Sequence, residues 1–367
     1  MRTTRRSTAG FPAPGLTRVV VLTGGSSGIG LGSALQFARE GWRVGLIARN
    51  RSRLEAAASL IAARVPGAIV AVEPADVTDA AGLAAAARAL VAALGPIDAW
   101  VNAAGNGVYG HFASVPEAEF RRVTEVTYLG TVNGCRVALS HMTPRDQGVI
   151  VNVCSAVVFH GVPLMSSYSG AKAAVRAFAQ SLTLELALVR SAVRISTLFP
   201  PAINTPFFDH AVSHMGFPAR PVPPVYRTGV AARGVVLCAS GRGERRLTGV
   251  VFAYSLIARL SPGLAGYLVS KSDFASELPR DGDARDAVAP CLFDSHDDRA
   301  AIDGPFMDRA RGWSLQLWLI GLWRTVAAGI SPVRRDAPSP PAPVPEASCP
   351  ARAGSASQAR AASDSDR

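Results

Sequence analysis

Along residues 18–205 the apolar positions come in two alternating patterns. Short β-branched runs of five to seven residues alternate with longer stretches rich in alanine and leucine. The short runs predict strands at 18–22, 43–48, 68–72, 97–102, 148–153 and 193–199. The longer stretches predict helices from the glycine-rich turn to about residue 40, and over 51–64, 79–94, 117–142 and 166–189. Strands that alternate with helices of this length imply right-handed βαβ units and a parallel sheet covered on both faces. The expected fold is therefore α/β, a Rossmann-type doubly wound sheet in a single domain.

Beyond Pro200 the pattern loosens. Residues 200–226 are rich in proline and aromatics and read as a long irregular lid over a ligand. Helical patterning returns at 229–240 and 252–270, and 276–304 reads as polar loop. The expected organisation is a disordered basic arm at 1–16, the domain at 17–270 and a C-terminal extension at 271–330. A disordered Pro/Ala/Ser/Arg-rich tail follows at 331–367. Within the extension, residues 313–330 carry Trp313, Trp318 and Trp323 with Arg324 as the only charge. They predict an apolar helix that packs on the domain or a partner, lies in a membrane interface or spans a bilayer; packing or interfacial contact is favoured.

Composition narrows the functional classes. The net charge of +11 is carried almost wholly by arginine, with Lys172 and Lys271 the only lysines. No compact basic run interleaved with aromatics is present, so no nucleic-acid partner is expected. The five cysteines, Cys135, Cys154, Cys238, Cys291 and Cys349, are widely spaced and form no CxxC. That pattern fits a reducing, cytoplasmic setting and contains no zinc-ligand pair. His210 and His214 could supply half a metal site, but a polar lid surface accounts for them better, and no metal is expected. Cys154 reads as a small buried strand residue rather than a redox switch.

The segment Thr23-Gly24-Gly25-Ser26-Ser27-Gly28-Ile29-Gly30 follows the first strand and opens the first helix. Gly24 permits the turn, Gly28 leaves room for a pyrophosphate and Gly30 allows close helix–strand packing. The helix N-terminus offers N–H groups and partial positive charge to phosphates. Tyr168 and Lys172 lie four apart on one predicted helix, hence on one face. An ammonium so placed is expected to lower the phenol pKa, so that Tyr168 exchanges a proton near neutral pH. Ser155, at the end of the strand ending in Val153, faces the crevice where α/β sheets bind ligands.

Together, TGGSSGIG, the VNAAG at 101–105, Ser155 and YSGAK resemble the short-chain dehydrogenase/reductase family over residues 18 to 205. The resemblance extends to an uncharacterised bacterial subgroup with a longer C-terminus. It implies a catalytic set of Ser155, Tyr168 and Lys172 for hydride transfer between a nicotinamide cofactor and a carbonyl/alcohol pair. It implies cofactor contacts from Thr23, Gly24, Ser26, Ser27, Gly28, Ile29, Gly30, Asp76, Asn102, Ala103, Gly105, Tyr168, Lys172, Pro200 and Thr205. Asp76 matches the acid that holds the adenine amino group; taken alone it reads as a helix cap. The second strand ends in Ala48-Arg49-Asn50-Arg51, with no acid to hold a ribose hydroxyl. Arg49 therefore points to the 2′-phosphate of NADP(H), with NAD(H) as the alternative. Two positions depart from the family: Thr127 stands where an asparagine usually extends the proton relay, and Pro201 replaces a glycine. Apolar side chains in the lid suggest a hydrophobic substrate, and a homo-oligomer is expected. The rival reading is a cofactor-binding sensor or scaffold with little turnover, membrane-associated through 313–330.

Overall fold

The computed structural model describes residues 18–271, 292–294 and 299–320. The arm at 1–16, the tail at 331–367 and most of the expected apolar helix lie outside the described residues. In chain order the elements begin with β1 (Val19–Thr23), α1 (Gly28–Arg39), β2 (Arg43–Ala48), α2 (Arg51–Arg64), β3 (Val70–Pro74), α3 (Ala80–Leu94), β4 (Ala99–Asn102) and β5 (Val108–Tyr109). They continue with α4 (Glu117–Thr124), α5 (Gly130–Met142), β6 (Val149–Val153), α6 (Ser166–Leu188), β7 (Arg194–Phe199), β8 (Ile203–Asn204) and α7 (Phe207–His210). The last are β9 (Val212–Ser213), β10 (Tyr226–Arg227), α8 (Thr228–Ala239), β11 (Gly243–Arg246), α9 (Gly249–Leu260) and α10 (Pro262–Lys271).

Seven strands form one sheet in the order β11-β7-β6-β4-β1-β2-β3, and every pairing in it is parallel. Alternate residues of β1 serve opposite cores, as the two-residue strand period requires. Val20 and Leu22 pack with Leu31, Leu54 and Val230 on one face. Val19 and Val21 pack with Leu83, Leu90 and Ala138 on the other. Strand order reverses between β1 and β4, which opens a crevice at their C-terminal ends. The expected Rossmann-type α/β fold is the observed one.

Four details differ from the sequence expectation. The helix expected over 117–142 is α4 and α5 joined by a π-helical turn at Glu125–Leu129. The helix expected over 252–270 is two, α9 and α10, because Pro262 cannot continue α9 past Ser261. The lid at 200–226 is not wholly irregular: it holds β8, α7 and β9 and runs into β10. In the C-terminal extension, 299–314 form no helix and 315–320 are helical. There Ser314 is buried and Leu317 packs against the core, while Trp313, Leu315, Trp318 and Leu319 are exposed.

Candidate active site

The crevice between β1 and β4 opens into a cleft of about 580 Å³. Its floor is the glycine-rich turn. Gly24 has φ +65°, and a Cβ there would stand 2.7 Å from the Ala104 nitrogen. At Gly30 a Cβ would fall 2.1 Å from the Gly24 carbonyl oxygen. Both positions therefore exclude any side chain. Ser27 enters α1 with extended dihedrals and spends no side-chain bond on capping the helix, and Ser26, Ser27, Ile29 and Gly28 all line the cleft. By helix geometry the first-turn N–H groups have no partner inside the helix. The Gly28 N–H has one outside it: the Ala301 carbonyl, 2.9 Å away.

Arg49 lines the cleft at the end of β2 and donates to the carbonyls of Leu292 and Phe293. Arg51 points away, 56% exposed and 4.0 Å from Glu55. Arg53, buried and on the cleft wall, is a second cation that the sequence pattern did not single out. Asp76 also lines the cleft. Its carboxylate accepts from the Thr78 backbone and hydroxyl and pairs with Arg122 at 2.6 Å. Burial would raise its pKa, but the bonds from Arg122 and Thr78 outweigh this and hold it below the usual carboxylate range. Arg122 also donates to the Leu292 carbonyl, at 3.3 Å. The helix-cap reading of position 76 is thus not what the structure contains; Asp79 caps α3.

Ala103, Gly105, Pro200 and Thr205 are on the cleft wall. Thr23 and Asn102 are buried below it and do not face it. The Thr23 hydroxyl lies 3.5 Å from the Val101 carbonyl and from the Ala104 nitrogen. Asn102 accepts from the Trp100 indole at 2.7 Å and donates to Asn152 at 2.9 Å. Thr23 thus braces the 103–105 turn from beneath, and Asn102 ties β4 to β6.

Ser155, Tyr168 and Lys172 converge on the same cleft. Ser155 follows β6, and its hydroxyl accepts from the Val157 N–H at 3.4 Å and lies near enough to Tyr168 to favour the phenolate slightly. Lys172 is buried, donates to the Val153 carbonyl at 2.7 Å, and its ammonium lies 5.7 Å from the Tyr168 ring centroid. The phenol is raised, rather than lowered as expected. Burial pushes Tyr168 above its ordinary range, the Cys154 thiol adds to that, and the Ser155 hydroxyl only partly offsets it. Burial also pulls Lys172 below its ordinary range. The apolar surroundings thus shift both groups toward their neutral forms.

Thr127 is fully buried inside the π-helical turn. Its hydroxyl donates to the Asn106 carbonyl at 3.3 Å, and its carbonyl accepts from Thr131 at 2.9 Å. Insertions of this kind displace the helix register locally and recur at functional sites.

The other end of the cleft is apolar: Val162, Met165, Phe207, Phe208, Val250 and Leu268 line it, with Tyr109, His210, Arg220 and Tyr254 as polar members. Sequence patterning pointed to the lid but not to α9 and α10, which supply Val250, Tyr254 and Leu268. His160 is not on the wall; its Nδ1 faces the Gly161 carbonyl at 2.8 Å. His214 pairs with Glu119 at 2.7 Å, and no metal-binding cluster occurs among the described residues. Cys154 is buried, which pushes its thiol to about 11, with Lys172 and a backbone bond opposing.

A doubly wound sheet with these side chains at its switch point defines a dinucleotide-dependent oxidoreductase. The family model for short chain dehydrogenases matches residues 18–216, and the chain belongs to that family. It is 28% identical to the uncharacterized oxidoreductase YxnA of Bacillus subtilis, over 71% of this chain and 73% of that one. It is 31% identical to levodione reductase of Leifsonia aquatica, over 54% of this chain and 74% of that one. Among solved structures it resembles an actinorhodin polyketide ketoreductase with NADPH, at 25% identity and a TM-score of 0.57, covering 64% of this chain and 97% of that one.

Proposed function

We propose that the protein is an NADP(H)-dependent oxidoreductase interconverting a carbonyl and an alcohol on an apolar substrate. The observation that carries this is that one cleft joins the glycine-rich turn, Arg49 and the Ser155–Tyr168–Lys172 set. The cofactor fits the residues present. The side-chain-free cradle at Gly24 and Gly30 admits a pyrophosphate against the main chain. Arg49 and Arg53 put cations beside the end of β2, where an acid would favour NAD(H) instead. Asp76, Ala103, Gly105, Pro200 and Thr205 complete the wall around the dinucleotide. When bound, the nicotinamide supplies or accepts the hydride.

The chain's own residues do the rest. Ser155 donates a hydrogen bond to the substrate oxygen and orients it. The Tyr168 hydroxyl gives its proton to that oxygen during reduction and takes it back during oxidation. Lys172, held to the Val153 carbonyl, would place its ammonium beside the phenol and hold the ribose hydroxyls of a bound dinucleotide. Thr127 keeps the main-chain carbonyl for the proton path from Lys172 and puts a hydroxyl in place of the usual side-chain amide. Phe207, Phe208 and Met165 exclude water from the reacting end.

Titration with NADPH and NADH, followed by nicotinamide fluorescence on wild type and Arg49→Ala, tests the site. Preference for NADPH that disappears in the variant supports the assignment. Binding of neither nucleotide overturns it. A carbonyl panel with Tyr168→Phe as control then separates an enzyme from a cofactor-binding sensor. Tight NADPH binding without turnover on any panel would favour the sensor, for which Thr127 is the motivating departure.

A further inference from the structure

The helices α9 and α10 carry apolar side chains on both faces. On α9, Val251 and Ser255 are buried, while Phe252, Leu256 and Leu260, one turn apart on the opposite face, are 54%, 48% and 74% exposed. On α10, Ala265 and Val269 are buried, while Leu264, Tyr267 and Leu268 are exposed. A soluble surface helix normally turns polar groups outward. A contiguous apolar surface of this kind marks a contact with another phase or partner.

Two further observations identify the contact. The first is charge. From Gly249 to Lys271 the two helices carry two cations, Arg259 and Lys271, and no acid, while Arg246 on β11 is paired with Glu244 at 3.7 Å. Arg259 and Lys271 are exposed at the ends of the two helices. A second copy docked here about a two-fold axis would bring cations against cations, with no acid from these helices to pair them. Anionic headgroups meet the same rim favourably. The second is the cleft. Val250 and Leu268 line it and are also 42% and 41% exposed on the patch. The apolar end of the cleft therefore opens between α9 and α10 onto this surface. No helix among the described residues is long and apolar enough to cross a membrane.

We propose that the outer faces of α9 and α10 seat the protein on a bilayer surface carrying anionic lipid, with the cleft mouth turned toward the lipid. An apolar carbonyl or alcohol dissolved in the bilayer then enters without crossing water. Phe252, Leu256 and Leu260 insert beneath the headgroups, Tyr267 sits at their level and Arg259 and Lys271 meet phosphates. The route of substrate entry rests on the oxidoreductase proposed above; the bilayer seat does not.

The test is flotation of the full chain with vesicles of phosphatidylcholine, with and without phosphatidylglycerol. Three proteins are compared: wild type, the triple variant Phe252→Glu/Leu256→Glu/Leu264→Glu, and Trp313→Gln/Trp318→Gln. None of the five residues lines the cleft, and all are exposed. NADPH titration and melting without vesicles verify that each protein is folded and report on the oxidoreductase separately. Wild-type flotation that strengthens with phosphatidylglycerol, and falls about tenfold or more in the triple variant alone, supports the proposal. It is overturned if wild type does not float, if only the tryptophan variant loses flotation, or if the triple variant instead converts a vesicle-free dimer to monomer. Flotation without NADPH binding would leave the bilayer seat standing and remove the oxidoreductase.

Discussion

Asn204 is fully buried at the end of β8 and fastens a distant part of the chain. Its side-chain nitrogen donates to the Gly304 carbonyl at 3.0 Å, and its side-chain oxygen accepts from the Phe306 nitrogen at 3.0 Å. The Asn204 main-chain carbonyl accepts from Gly304 at 3.2 Å and from the Thr228 hydroxyl at 2.9 Å. Asn204→Ala removes the two side-chain bonds and keeps the main-chain ones. If the released Gly304 and Phe306 groups reach water, the loss is the net value of two hydrogen bonds, about 1–3 kcal/mol. If they stay buried, each orphan costs about 1–3 kcal/mol, so the segment opens rather than sustain both. The expected result is local. Amide exchange at Gly304 and Phe306 accelerates roughly 5- to 150-fold, while the β1 and β4 amides keep their wild-type protection. Hydrogen exchange read by mass spectrometry on peptides covering 299–310 measures this. Unchanged exchange there, or an equal acceleration throughout the sheet, would refute the role of Asn204 as a local fastening.

Four further outcomes are expected. Arg49→Ala should weaken NADPH binding by roughly 10- to 150-fold, the value of about 1.5–3 kcal/mol for a charge-assisted bond, and leave NADH nearly unchanged in fluorescence titration. Tyr168→Phe should lower turnover by about 10²- to 10⁴-fold and retain NADPH affinity, as steady-state kinetics and titration together report. Asp76 has a lowered folded-state pKa, so its pairing with Arg122 stabilises the protein above the unfolded carboxylate value of about 3.9 and is lost as pH falls through the folded value. Asp76→Asn should cost about 1 kcal/mol at neutral pH and flatten melting temperature against pH in the acid range. The Cys154 thiol, buried and raised to about 11, should resist iodoacetamide at pH 8 in the native protein and react after denaturation; native-state labelling within minutes would contradict its burial.

The βαβ alternation was legible because parallel strands buried on both faces read as near-continuous apolar runs, as Val19–Thr23 and Val149–Val153 do. The glycine-rich turn and the Tyr168–Lys172 spacing were legible because their chemistry is local. What escaped depends on partners far along the chain. Thr23 and Asn102 sit in a matching motif, yet their direction is set by Trp100, Asn152 and Ala104. Arg122 gave no signal, since its meaning comes from Asp76, 46 positions earlier. The π-helical turn around Thr127 shifts the helix register within one unbroken helical stretch, so the pattern read only a single helix. The outward apolar stripe of α9 and α10 was readable only as helix, because a sequence does not state which of two apolar faces meets the sheet.

The contacts of Ala301 with Gly28, and of Leu292 with Arg49 across 243 positions, also order events in time. During synthesis the N-terminal strands emerge first and can begin to assemble as they do. All seven strands of the sheet, ending at Arg246, have left the ribosome before Leu292 or Ala301 exists. A nascent chain therefore holds a glycine-rich turn open on one side, and a chain halted after α10 keeps it so. The bonds that the Leu292, Phe293 and Ala301 carbonyls make to Arg49 and Gly28 are among the last contacts around the cleft to form.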